Sequence, residues 1–257
     1  MKLKLLAITS LALAAIPSIA AMSMAADAPA WGPFTANIAL TNDYRFRGQQ
    51  QGHGSLSVSG GVDYTGSDGW FAGLWTSTVD FNDAADTYME LDLYGGYTMA
   101  IDDKTSATLK AIYYTYPTAD YPTGANHNDY FELIASASHD FGVASAGIEV
   151  AYSPNYFLES GNGVEVSGNV TVPLMDKLWL FDGGISASGH FGHQWIEHNN
   201  IFGTPDYSFY DLGVSAKVSN YTFDFRYVDT DLSKTECFGG TGLCDAGFVA
   251  TVTLALP

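Results

Sequence analysis

From residue 34 onward the chain alternates. In its last stretch Phe248, Ala250, Val252, Leu254 and Leu256 share one face, and Val249, Thr251, Thr253 and Ala255 the other. Residues 221–227 place Tyr221, Phe223, Phe225 and Tyr227 opposite Thr222, Asp224 and Arg226. Phe131, Leu133, Ala135 and Ala137 oppose Tyr130, Glu132, Ser136 and Ser138, and Val164, Val166, Val170 and Val172 oppose Glu165, Ser167, Asn169 and Thr171. A period of two belongs to strands whose faces meet different surroundings, and a helical period is almost absent. The pattern predicts about twelve strands, near 34–47, 55–65, 70–80, 87–100, 106–117, 129–140, 143–153, 163–173, 178–192, 207–218, 221–229 and 247–256.

Alternation alone fits a soluble β-sandwich as well as a barrel, and the connections separate the two. After even strands they are short: 66–69, 102–105, 141–142, 175–177 and 219–220. After odd strands they are mostly longer and irregular, at 118–128, 154–162, 193–206 and 230–246, with a shorter one at 48–54. Sorting by parity is the mark of an antiparallel transmembrane β-barrel with short periplasmic turns and longer extracellular loops. With no repeat and no linker-like shift in composition, the expected architecture is all-β, a single barrel of residues 26–257.

The faces agree. One carries Leu, Val, Ile, Phe and Tyr, as lipid requires. The other carries ten carboxylates (Asp43, Asp63, Glu90, Asp92, Glu132, Glu149, Glu165, Asp182, Asp211 and Asp224) and five bases (Arg45, Arg47, Lys110, Lys217 and Arg226). A dry core would not tolerate so many charges, whereas a hydrated lumen would. An acidic lining favours cations. The constriction is expected where Asp43, Arg45 and Arg47 on the first strand approach Asp224 and Arg226 on the eleventh, with Glu90 and Asp92 facing them. The alternative is that the charges pair across the interior and plug it, because twelve strands lie between packed small barrels and open large ones.

Composition narrows the setting. Lys2 and Lys4 precede an apolar stretch from Leu5 to Ala21, and Ser23-Met24-Ala25 offers a small-x-small cleavage pattern, so residues 1–25 are expected to be a cleaved signal peptide. Beyond it, no stretch of about 18 uncharged apolar residues offers a helical span. The formal charge of −18 argues against nucleic acid as a partner. Cys237 and Cys244 lie close together in a Gly-rich segment and, after export, are expected to form a disulfide.

Several short motifs then occur in order. Asn42-Asp43-Tyr44-Arg45-Phe46-Arg47-Gly48 ends the first strand, Trp70-Phe71-Ala72-Gly73-Leu74-Trp75 opens the third, and Glu90-Leu91-Asp92-Leu93-Tyr94-Gly95-Gly96-Tyr97 forms the fourth. Tyr113-Tyr114-Thr115-Tyr116-Pro117 and Tyr227-Val228-Asp229-Thr230-Asp231-Leu232-Ser233 follow. This ordered set resembles the TorF-family porin-like proteins, the Gcw-type conserved proteobacterial proteins of unknown function. The resemblance implies an exported outer-membrane barrel and little about its solute. One departure is the C-terminal Leu254-Ala255-Leu256-Pro257, where such barrels usually end on an aromatic residue.

The expected role is passive diffusion of small hydrophilic solutes or ions, preferring cations, with outer-membrane lipid as the surrounding partner and no cofactor. The rival role is a non-conducting structural or surface-binding barrel. His190, His193 and His198, with Glu197, fit no standard zinc spacing and are expected to be rim residues, not a metal site. Trp70, Trp75, Trp179, Trp195, Tyr113 and Tyr210 suit interfacial girdles. Asp182 and His190 share a face without an activated serine, so no enzyme activity is expected.

Overall fold

The structure is a computed structural model that describes residues 32–177 and 183–256. Its strands are β1 (Phe34–Thr41), β2 (Arg45–Phe46), β3 (Gln49–Gln50), β4 (Ser57–Thr65), β5 (Trp70–Thr78), β6 (Met89–Ala100), β7 (Thr105–Thr115), β8 (Tyr130–Asp140), β9 (Ser145–Ser153), β10 (Gly163–Met175), β11 (Ile185–Ile196), β12 (Tyr207–Val218), β13 (Tyr221–Thr230) and β14 (Gly247–Leu256). All but β2 and β3 form one closed antiparallel barrel in which each strand pairs with its sequence neighbour and β14 returns to β1. Closure satisfies every strand edge, the condition for a sheet in lipid. The signal segment 1–25, Trp179, Asp182 and Pro257 lie outside the described residues.

Outward positions form an apolar belt that includes Ile38, Val62, Leu74, Leu93, Leu109, Leu133, Ile148, Leu212, Val214, Phe225 and Val252, all exposed. Aromatic residues rim both ends. At the turn end Phe34 packs on Tyr64 and Trp70 on Tyr97, with ring centroids 5.4 and 5.1 Å apart. At the loop end Tyr210 and Tyr227 both donate to Asp229 Oδ2, at 2.8 and 2.9 Å. Trp70, Trp195, Tyr113 and Tyr210 face outward as girdle residues. Trp75 does not. It points into the barrel, 2% exposed, against Tyr44.

Two strand ends differ by more than two residues from those expected. β11 runs to Ile196, so its loop begins later than the polar residues 193–194 suggested. The larger difference is at the first strand, which stops at Thr41. Asn42 takes over the ladder to β14 with its side chain. Its Nδ2 donates to the Phe248 carbonyl (3.1 Å) and its Oδ1 accepts from the Ala250 N–H (2.6 Å). A side-chain amide that substitutes for the main chain lets the backbone leave the sheet. Asp43, Arg45 and Arg47 are therefore not wall residues in phase on a strand. They belong to a small hairpin folded into the lumen.

Candidate functional site

The hairpin pairs Phe46 of β2 with Gln49 of β3, leaving Arg47 and Gly48 as a two-residue turn. Both have positive φ, 47° and 83°, as the favoured two-residue hairpin turns demand. Glycine is required at the second position for space as well. A Cβ on Gly48 would lie 2.5 Å from Thr230 Cγ2 on the barrel wall. The turn thus delivers the Arg47 guanidinium to the barrel interior.

There Arg47 grips Glu132 of β8 with two parallel bonds, Nη1 to Oε1 at 2.8 Å and Nη2 to Oε2 at 3.0 Å. It also donates to Gln194 Oε1 on β11 (2.9 Å) and to the Tyr156 hydroxyl (3.2 Å), and Tyr114 donates to Glu132 Oε2 (3.1 Å). The guanidinium lies 4.7 Å from the Phe46 ring centroid. Arg47 is 8% exposed and Glu132 1%. A bidentate ion pair with further acceptors around the same guanidinium is the arrangement in which Coulomb attraction can offset the cost of burying both charges.

The base of the hairpin is anchored on both sides. Tyr44 donates to Glu90 Oε2 (2.7 Å) and Tyr116 to Glu90 Oε1 (3.2 Å), so Glu90 is a hydrogen-bond bridge between loop and wall. Arg45 bonds Asp43 Oδ2 (2.8 Å) and the Asp245 carbonyl (2.7 Å). Beside it the Gln50 N–H donates to the Leu243 carbonyl (2.8 Å). Both carbonyls belong to the segment 231–246, which the Cys237–Cys244 disulfide closes into a compact loop. That loop in turn donates from the Phe238 N–H to Gly203 (3.0 Å).

Aromatic residues from the connections fill the space around these polar contacts. Tyr156, Phe157, Phe202 and Phe238 pack with Tyr114, Tyr130, Tyr207, Phe209 and Phe46, while Tyr44, Trp75, Val79, Tyr116 and Phe81 form a second cluster. The loop-side half of the lumen is a packed core. The turn-side half is different. Many of its inward positions are small and polar, among them Thr98, Thr108, Ser106, Ser138, Thr171, Ser186, Ser215 and Thr251, and most of these are only half-buried. Hydroxyl pairs link adjacent strands there: Thr98 with Thr108 (3.0 Å), Ser106 with Ser138 (2.9 Å) and Ser186 with Ser215 (2.9 Å).

The expected site residues therefore separate into groups. Arg47 meets Glu132, Arg45 meets Asp43, and the hairpin meets Glu90. Arg226 bonds Asp224 (3.1 Å), Asp211 and Ser188 (3.1 Å), so it does not join Arg45 and Arg47 in one constriction. Asp92 and Lys110 face the interior, both buried. The histidines disperse. His190 points inward to Asp211 (3.2 Å), His193 sits beside Trp195 with ring centroids 4.4 Å apart, and His198 contacts the Ser160 carbonyl (3.2 Å). Glu197 is occupied by Asn162, whose backbone N–H (2.8 Å) and side-chain amide (2.6 Å) hold its carboxyl below the usual range. Among the described residues no group of three His, Cys, Asp or Glu side chains is placed to hold a metal. Tyr44, Tyr114, Tyr156 and Gln194 escaped the sequence reading. The signal available for them was Asn42 ahead of the Arg47-Gly48 turn, and the excess of aromatic residues in segments expected to be solvated loops.

The same architecture occurs in solved porins at negligible sequence identity. The chain superimposes on the KdgM porin with a TM-score of 0.53 at 5% identity, covering 87% of this chain and 98% of that one. A KdgM porin in complex with disordered oligogalacturonate gives 0.52 at 6%, over 87% and 98%. The NanC porin gives 0.54 at 9%, over 86% and 99%. These likenesses are ones of fold. No curated protein sequence is matched. A family model does match, over residues 25–256, nearly the whole barrel, and by that match the chain belongs to Gcw_chp, a family of bacterial proteins of unknown function.

Proposed function

We propose that this protein is an outer-membrane channel for passive diffusion of small hydrophilic solutes or ions, with the β2–β3 hairpin as its constriction. On this reading residues 1–25 are the cleaved signal and 26–257 the mature barrel, set in outer-membrane lipid with the long loops outside. The observation that carries it is the hairpin itself: a closed barrel of lipid-facing apolar and inward polar residues folds one loop inward and fixes its tip to the far wall. The porin fold of the solved neighbours supports the same reading. The excess of inward carboxylates favours cations over anions.

A second reading has its own observation. The aromatic packing around the hairpin is dense enough to serve a non-conducting structural or surface-binding barrel. Planar-bilayer recordings of the purified protein separate them, comparing wild type with a variant in which residues 43–51 are replaced by a short Gly-Ser turn. A channel gives discrete conductance in wild type that rises several-fold in the variant. A barrel silent in both forms, though correctly assembled, overturns the proposal in favour of the second reading. Labelling of a single cysteine introduced at 118–128 from outside intact cells, with none at Asp103, checks the orientation.

A further inference from the structure

Gly73, Gly96 and Gly213 occupy inward positions of the wall, and each stands directly opposite a large inward residue on the next strand: Tyr94, Phe71 and Arg226 in turn. In each pair the large side chain lies in the space that a Cβ on the glycine would need. Glycine weakens a strand, and its presence inside one commonly marks the close approach of another group. Here that group is the side chain opposite. Tyr94 and Phe71 are half-buried, unlike the aromatic residues of the packed loop-side core.

The geometry is clearest at Tyr94. A Cβ on Gly73 would lie 2.6 Å from the Tyr94 hydroxyl and 2.7 Å from its Cε2 and Cζ, so the far end of the ring rests on the Gly73 backbone. Beyond the glycine the hydroxyl donates to Asp63 Oδ1 at 2.5 Å. Asp63 is the partner of Gly73 in the β4–β5 register, so the Tyr94 side chain crosses a whole strand to reach it. Neighbouring strands lie about 4.8 Å apart, and a tyrosine covers that distance only with its ring laid along the sheet. Arg226 repeats the arrangement: it crosses Gly213 and donates to Ser188 (3.1 Å), the partner of Gly213 on β11. Phe71 makes the reciprocal crossing, from β5 over Gly96 of β6, where its Cζ lies 2.6 Å from the position of a Cβ.

An inward side chain of this size ordinarily stands up from the sheet and takes lumen volume. Laid against the wall, these rings leave the lumen free, and Thr98 and Ser106 towards the turns keep part of their surface in contact with water. We propose that Gly73 and Gly96 set the bore of the turn-side lumen, as recesses that hold Tyr94 and Phe71 out of the solute path. The inference rests on the channel reading for its role, since the bore limits the solutes that pass the hairpin, but the bore itself does not depend on conductance. Gly73 is the better probe. The three atoms nearest to an added methyl there all belong to Tyr94, whereas at Gly96 the methyl also meets the Leu109 carbonyl.

The test is the reactivity of one introduced cysteine, Thr98→Cys, in the intact purified barrel, whose native cysteines are already joined to each other. Thr98 is the next inward position after Gly96 on β6. Two methanethiosulfonates of equal charge are compared, one with a small and one with a bulky quaternary ammonium head. Both are expected to react in the otherwise wild-type barrel. Gly73→Ala should push Tyr94 into the lumen and slow the bulky reagent several-fold relative to the small one, and adding Tyr94→Ala should restore the rate. Tyr94→Ala alone should leave the ratio nearly unchanged, because the ring already lies out of the way, and this variant decides the matter if Gly73→Ala fails to assemble. The proposal is overturned by a cysteine that neither reagent reaches, by a ratio indifferent to Gly73→Ala, or by a slowing that persists with Tyr94→Ala. A several-fold faster bulky reagent in Tyr94→Ala alone overturns it too. In bilayers the same variants should lower and restore conductance in the same order. A silent wild type with the expected thiol rates would reject the channel and leave the bore standing.

Discussion

The loop-side and turn-side halves of the lumen come from the same strands with the same alternation, yet they are different materials. On the loop side the inward positions are large or charged: Trp75, Glu90, Asp92, Tyr114, Tyr130, Glu132, Gln194, Tyr207 and Phe209. Loop residues complete their packing, and many of the polar atoms are matched by bonds such as Arg47 to Glu132, while Trp75 Nε1 and Asp92 Oδ1 are not. On the turn side many inward positions are threonines and serines whose hydroxyls pair across strands and remain partly accessible, interspersed with glycines and with larger residues such as Phe71 and the hydrogen-bonded Tyr94 and Asp63. Small side chains leave room for solvent, and hydroxyls with water beside them cost little when unpaired. A barrel wall is indifferent to what fills it. The fill follows from side-chain volume and from which connections are long enough to fold inward.

The largest effect should come from breaking the latch. Arg47→Met leaves Glu132 buried with only Tyr114 as donor, and is expected to destabilise the barrel by about 3–5 kcal/mol. Urea unfolding in detergent measures this. Pairing it with Glu132→Leu should recover most of the loss, because removing both charges also removes the desolvation cost. If the double variant is as unstable as the single, the pair is not the unit that holds the loop-side half together.

The disulfide loop offers a smaller perturbation of the same half. Replacing Cys237 and Cys244 by serine should leave the barrel assembled and cost less than about 3 kcal/mol, because the bridge closes a short loop. Its specific consequence is mechanical. The Leu243 and Asp245 carbonyls lose their fixed positions against Gln50 and Arg45, so bilayer recordings should show noisier current and a higher mean conductance than wild type. Unchanged noise would show that the hairpin stays in place without this support.

The smallest effect is expected on the turn side. Thr98→Val together with Thr108→Val removes one hydroxyl pair from a half-open surface, and should change stability by only about 0.5 kcal/mol. A loss comparable to that of Arg47→Met would erase the distinction between the two halves.

Much of this arrangement could be read before any coordinates. The period of two placed Glu90, Asp92, Lys110, Glu132, Asp224 and Arg226 on the inward face, because a strand between lipid and lumen must alternate. Loop parity led to the closed barrel for a similar reason: a chain that crosses lipid as strands must close its sheet. The error at Asp43, Arg45 and Arg47 has an instructive cause. The alternating polar and aromatic residues at 42–47 satisfy the strand pattern locally, and nothing in the period tells a wall strand from a hairpin strand. What decides is where the main chain leaves β14: the Asn42 N–H still reaches the Ala250 carbonyl, and the Asn42 side chain makes the next two bonds as the backbone turns away.

What the sequence determined by itself was therefore the wall: its strands, its two faces and the side from which long loops emerge, all consequences of local alternation and of satisfying the backbone in lipid. Only the tertiary structure decided the filling. Arg47 and Glu132 are 85 residues apart in sequence, and Arg47 and Gln194 are 147 apart. Their meeting depends on barrel circumference, on a turn with two positive φ angles and on the volume left by neighbouring aromatics. None of these is a property of a local window of sequence.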